Sequence, residues 1–234
     1  TDTFAVSGIE TLRLSTTALN GTLDVSKFGA GVATTRLDIA LAADRSITNL
    51  AANPTIELRD LSAFTLTGSL ANSTGTTDAL TLNLRSIMVT GGATTDTMAG
   101  FTHAGIETIT IDSGSSDTPD NAGDQNIITT LTATAMKTLN VKGTVGLSVG
   151  TLGASVTLVD STALAAALSS TTAGDGGLTA TLGTSANVAA TVKTGGGNDS
   201  ITGGAGDETI TTGAGVDVIN IATNCGWRAG CYNL

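Results

Sequence analysis

Apolar side chains recur two residues apart in short runs along the whole chain. The runs are Glu10–Leu14 (ETLRL), Arg36–Leu41 (RLDIAL), Thr55–Leu58 (TIEL), Phe64–Thr67 (FTLT) and Leu80–Leu84 (LTLNL). They continue with Glu107–Ile111 (ETITI), Thr138–Val141 (TLNV), Ser155–Val159 (SVTLV) and Leu178–Leu182 (LTATL). A period of two sends alternate side chains to opposite faces, so each run predicts a short strand with one buried face. Thr is the favoured outward residue, which suits a long exposed ladder of strands. The linkers are rich in Gly, Ser, Thr, Asn and Asp, the residues of turns. One stretch, Ser161–Ser169 (STALAAALS), reads as helix, with Ser161 or Thr162 as N-cap. Ser113–Gln125 (SGSSDTPDNAGDQ) reads as a longer acidic loop.

Two phrases echo each other. Gly8-Ile-Glu-Thr-Leu-Arg-Leu14 returns as Gly105-Ile-Glu-Thr-Ile-Thr-Ile111, and Leu23-Asp-Val-Ser-Lys-Phe28 resembles Val159-Asp-Ser-Thr-Ala-Leu164. Such echoes fit coils that cannot bury their own faces and stack on their neighbours.

Composition supports a β-rich chain and narrows its partners. Hydrophobic residues make up 40% but aromatics only 3%, with 30 Gly and 2 Pro, so the core is aliphatic and glycine makes the turns. Acids outnumber bases 20 to 10, a net charge of −10. That balance argues against nucleic acid and anionic lipid, and fits multivalent cations. No apolar run approaches the roughly 18–20 residues of a membrane helix, so no membrane insertion is expected.

Residues 194–220 divide into three nonads in phase: Thr194–Thr202 (TGGGNDSIT), Gly203–Thr211 (GGAGDETIT) and Thr212–Asn220 (TGAGVDVIN). They follow G-G-x-G-x-D-x-U-x, with Ile201, Ile210 and Ile219 at the aliphatic position. This resembles RTX proteins, the glycine-rich nonapeptide-repeat class. The resemblance implies calcium and a coil of two nonads: a six-residue glycine turn and a three-residue strand, each turn stacking eighteen residues on. Asp199 and Asp217 then share one side as calcium ligands, with carbonyls from Gly195, Gly197, Gly213 and Gly215. The middle nonad offers Asp207 and Glu208, opposite 185–190 or 221–226, which carry no acid.

The expected fold is an elongated parallel β-solenoid over 1–193, ending in an RTX β-roll over 194–222. Residues 223–234 form a non-repeat tail, where Cys225 and Cys231 are read either as a small capping disulfide loop or as part of a segment foreign to the repeat. The strand ladder and the repeated phrases also look like bacterial RTX-type surface-layer proteins. Membership would imply secretion, folding as calcium is met, and self-association into a lattice. The alternative is an adhesin or a module binding cell-surface polysaccharide, with a polysaccharide-degrading β-helix enzyme as a third reading.

No catalytic site is expected. H-E-x-x-H is absent. Gly146-Leu-Ser-Val-Gly150 matches a nucleophile elbow, which needs a helix after it and a later His. Here a strand-like run follows, and the one histidine, His103, lies upstream in what reads as a solvated turn. Glu10, Glu57 and Glu107 are read as outward strand residues and not as a glycosidase pair. Further turn acids, Asp44, Asp96, Asp117, Asp120, Asp124 and Asp175, fit no spacing rule.

Overall fold

The computed structural model describes residues 8–15, 21–29, 31–38, 43–86, 95–116, 124–165, 176–183, 189–221 and 232–233. Successive strands alternate between two parallel sheets, so each coil gives one strand to each sheet. The first sheet runs Thr11–Leu14, Thr34–Leu37, Thr55–Leu58, Ala79–Ser86, Thr108–Ser115, Thr138–Gly143, Leu158–Leu164, Thr191–Thr194, Glu208–Thr211 and Tyr232–Asn233. The second runs Thr22–Asp24, Arg45–Leu50, Thr65–Leu70, Thr95–His103, Gln125–Thr132, Gly146–Thr151, Gly176–Thr181, Asn198–Thr202 and Val218–Asn220. The chain is an all-β parallel β-solenoid with one hydrophobic core between its sheets.

Register stacks like on like. Leu80, Ile109, Leu139, Val159, Val192 and Ile210 are successive partners in the first sheet, none more than 2% exposed. Leu66, Phe101 and Leu131 form a matching ladder in the second. Burying one such side chain is worth about 1.5–3 kcal/mol, so the stack is held by repetition of one modest term. Outside the core, Thr11, Thr34, Thr55, Thr81 and Thr110 line up as partners across five strands.

The phrase repeated at 8–14 and 105–111 has a structural cause. Gly8 (φ 78°) and Gly105 (φ 71°) both take the left-handed backbone that leads into a first-sheet strand. The second echo shares only its cap. Asp24 accepts the Ser26 N–H at 3.0 Å, and Asp160 accepts that of Thr162 at 3.0 Å. A 3-10 turn, Val25–Phe28, then follows Asp24, whereas Leu158–Leu164 continues as strand.

Several expectations are corrected. Residues 161–164 belong to a strand, because Ser161 pairs with Thr194 and ladder hydrogen bonds outweigh the helix propensity of so short a run; residues 166–169 lie outside the described set. The strand expected over 36–41 spans Thr34–Leu37, with 39–41 outside the described set. His103 is not solvated: it ends the strand Thr95–His103, fully buried against Gly68. The expected loop at 113–125 is strand to Ser115 and again from Gln125, with 117–123 outside the described residues. Ser148 sits mid-strand in Gly146–Thr151.

Candidate metal centre

The two sheets continue without a break through residue 194, since Thr191–Thr194 pairs with Leu158–Leu164 on one side and with Glu208–Thr211 on the other. From there the coil shortens to eighteen residues: Thr191 faces Thr209, Ile201 faces Ile219, and Gly196 bridges Ala214. Each glycine turn lies flat on the turn below. A Cβ on Gly197 would collide with the Gly176 carbonyl, one on Gly215 with that of Gly197, and one on Gly213 with that of Gly195. Gly197 (φ 92°) and Gly215 (φ 149°) also need backbone angles that other residues rarely adopt.

This stacking brings Asp199 and Asp217 together. One Asp217 carboxylate oxygen accepts the Asp199 N–H at 3.0 Å, and one Asp199 oxygen accepts the Leu178 N–H at 2.7 Å. Asp199 is fully buried, and its second oxygen has no hydrogen-bond partner. Burial pushes its carboxyl above the usual range; hydrogen bonding to the Leu178 N–H and the Thr194 side chain opposes the rise in part, and the Asp217 charge adds to it. An unpaired buried carboxylate oxygen beside a second acid is a costly arrangement that a cation relieves. Among the described residues no group of three or more His, Cys, Asp or Glu side chains converges, so a metal here would draw its remaining ligands from carbonyls. Of the candidate carbonyls, that of Gly195 accepts the Ala214 N–H at 3.0 Å, while that of Gly197 faces Gly215.

The opposite edge is built differently. Asp207 is exposed and Glu208 is buried. One Glu208 oxygen accepts the Gly206 N–H within its own turn at 3.1 Å, and the other has no partner. Burial raises this carboxyl too. Ala190 lies across from it; residues 184–188 lie outside the described set.

Residues 189–219 match the family model of the RTX calcium-binding nonapeptide repeat (4 copies). The chain carries RTX repeats. Repeats of this family bind calcium and are typical of secreted bacterial proteins. No curated protein and no solved structure matches the chain. The residues present fit a calcium ion: Asp199 and Asp217 would hold it with carbonyls of the Gly197 and Gly215 turns. The ion would supply positive charge that pins one coil to the next.

Sequence reasoning passed over several residues of this edge. Asn198 accepts the Val216 N–H at 2.8 Å, so position five of the nonad also clamps neighbouring turns. Gly176 and Leu178 form the floor beneath Asp199. The signal was the Gly-Asp-Gly-Gly at 174–177, a sequence like that of the glycine-rich nonads. Of the other acids, Asp44 accepts the Thr65 N–H and Asp96 that of Leu61, while Asp124 is buried. Asp117, Asp120, Asp175, Cys225 and Cys231 lie outside the described residues.

Proposed function

We propose that this chain is a structural component of a bacterial cell surface, secreted and calcium-dependent, which self-associates into a surface layer and carries no catalysis. One observation carries the reading: each candidate calcium ligand caps a backbone N–H of the preceding coil, Asp217 that of Asp199 and Asp199 that of Leu178, so a metal there serves cohesion. A catalytic or sugar-processing ion would instead stand at a groove open to substrate. The acidic balance, the scarcity of aromatic sugar platforms and the threonine ladder support the same reading.

The test is to strip calcium, restore it in steps, and follow folding by circular dichroism and assembly by light scattering and electron microscopy. Ordered sheets appearing with calcium support the surface-layer reading. A folded, calcium-loaded monomer at all concentrations overturns it and favours an adhesin.

A further inference from the structure

The two sheets differ in what they turn outward. In the first, each strand from Ala79–Ser86 to Thr191–Thr194 presents one charge on its outer face: Arg85, Asp112, Lys142, Asp160 and Lys193, none of them buried. The second-sheet strands from Thr65–Leu70 to Val218–Asn220 contain no Lys, Arg or Glu, and their only Asp residues are Asp96 and Asp199. Asp199 is buried, and Asp96 lies on the side of buried Met98 and accepts the Leu61 N–H at 3.1 Å. The outward positions are short and neutral. One row in register reads Thr97, Ile127, Ser148, Thr179, Ser200 and Val218, none of them buried. Val218 is 38% exposed, and the other exposed large hydrophobics among the described residues, Val216 and Ile221, flank the same strand.

We propose that this neutral outer face of the second sheet is where a second copy of the chain docks, sheet against sheet. The inference rests on the reading of the chain as self-associating and names the contact. A chain of net charge −10 repels its own copies, so two copies meet at least electrostatic cost on the face without charge. The centres of protein interfaces are depleted of charge in the same way. Long charged side chains, which lose the most rotamer freedom on burial, are absent from it. The face also lacks what other partners need. It has no basic residue for phosphate, and no outward aromatic for a sugar, since Phe101 is buried. Seven strands at about 4.8 Å spacing, each about 16 Å long, give a face of roughly 450 Å² per copy. A pair then covers roughly 900 Å², below a standard-size interface, so a single contact is weak and depends on concentration.

The experiment is sedimentation velocity of the whole chain with calcium over a concentration series, for wild type, Thr97→Glu/Ser148→Glu and Thr138→Glu. The double variant sets like charges against each other in the proposed contact. Thr138→Glu adds an acid to the outer face of the first sheet instead. Circular dichroism checks that each variant keeps its fold. The double variant is expected to need about tenfold higher concentration or more to associate, with Thr138→Glu unchanged. Association of the double variant at wild-type concentrations, or an equal loss in Thr138→Glu, overturns the inference and leaves self-association standing. A wild type that stays monomeric throughout overturns both. Hydroxyl-radical footprinting of the wild type needs no variant: protection of Ile127 on association, with Lys142 unchanged, supports the face, and the reverse pattern overturns it. Protection of Ile127 in a monomer on adding a cell-surface polysaccharide gives the face to a sugar and overturns it too.

Discussion

The side chain of Asp217 accepts the backbone N–H of Asp199, one coil earlier in the solenoid, at 3.0 Å. The same device occurs upstream of the glycine repeats: Asp96 accepts the Leu61 N–H at 3.1 Å, and Glu107 accepts that of Asp78 at 2.8 Å. Acids at strand entrances thus tie each coil to its predecessor at several points along the described chain. In the repeat Asp199 and Asp217 do so on successive coils along one edge.

Asp199→Asn is expected to separate these two roles. The amide keeps an oxygen for the Leu178 N–H and removes the buried charge, so the calcium-free protein gains stability. The calcium-dependent gain disappears. For millimolar calcium and dissociation constants of about 10⁻⁴ to 10⁻³ M, that gain is roughly 0.4–1.4 kcal/mol per site. Urea unfolding with and without calcium measures both; an unchanged calcium increment in the variant would contradict the centre.

The two copies of the repeated glycine phrase predict unequal costs. Among the described residues nothing stands within 4 Å of a Cβ at Gly8, so Gly8→Ala bears the strain of a positive φ, about 1–2 kcal/mol. Gly105→Ala bears the same strain and also places its Cβ 2.8 Å from that of Ser73. Thermal melts should therefore rank Gly105→Ala below Gly8→Ala, and equal melting temperatures would refute the steric account.

His103 predicts an acid-sensitive core. Its Nδ1 lies 2.9 Å from the Ala104 carbonyl, Nε2 has no partner, and Gly68 packs against the ring. Burial holds its pKa below the ordinary 6.5, with the Ala104 carbonyl and the Asp78 charge opposing in part. The unfolded chain therefore binds the proton more readily, so the contribution of His103 is complete above pH 6.5 and is lost as pH falls below it. His103→Leu should flatten the pH dependence of unfolding between about pH 7.5 and 5, read by chemical denaturation. A slope equal to wild type would show that other groups set it.

Leu139→Ala tests the aliphatic ladder. Leu139 is fully buried between Ile109 and Val159, and rigid parallel neighbours leave little room for collapse. A loss of about 2–5 kcal/mol is expected, while the outward Thr138→Ala should stay within about 1 kcal/mol. Similar losses in both would mean that the two faces are not distinguished as described.

Most first-sheet strands could be read from the sequence and most second-sheet strands could not. Thr55–Leu58, Ala79–Ser86 and Thr138–Gly143 alternate aliphatic and polar residues cleanly. In Thr95–His103 the inward positions hold Met98, then adjacent buried Gly100 and Phe101, then His103, so the period of two is broken within the strand. Gln125–Thr132 turns Asn126 inward, where its amide donates to Ser113 and to the Gly114 carbonyl. A buried asparagine reads as a turn residue until its partners on the other sheet are known.

By itself the sequence determined the β character and the phase of the nonads, because those follow from local periodicity and glycine chemistry, and through its resemblance to RTX repeats it placed the eighteen-residue step of the last coils and the pairing of Asp199 with Asp217. Only the tertiary structure decided how the longer upstream coils register. Their linkers vary in length, and register there is set by which core faces meet. It also decided that Glu208 turns inward while Asp207 faces solvent, and that Gly153 and Gly183 lie beneath the second edge. Those neighbours come from coils far apart in the chain, and no local pattern encodes their meeting.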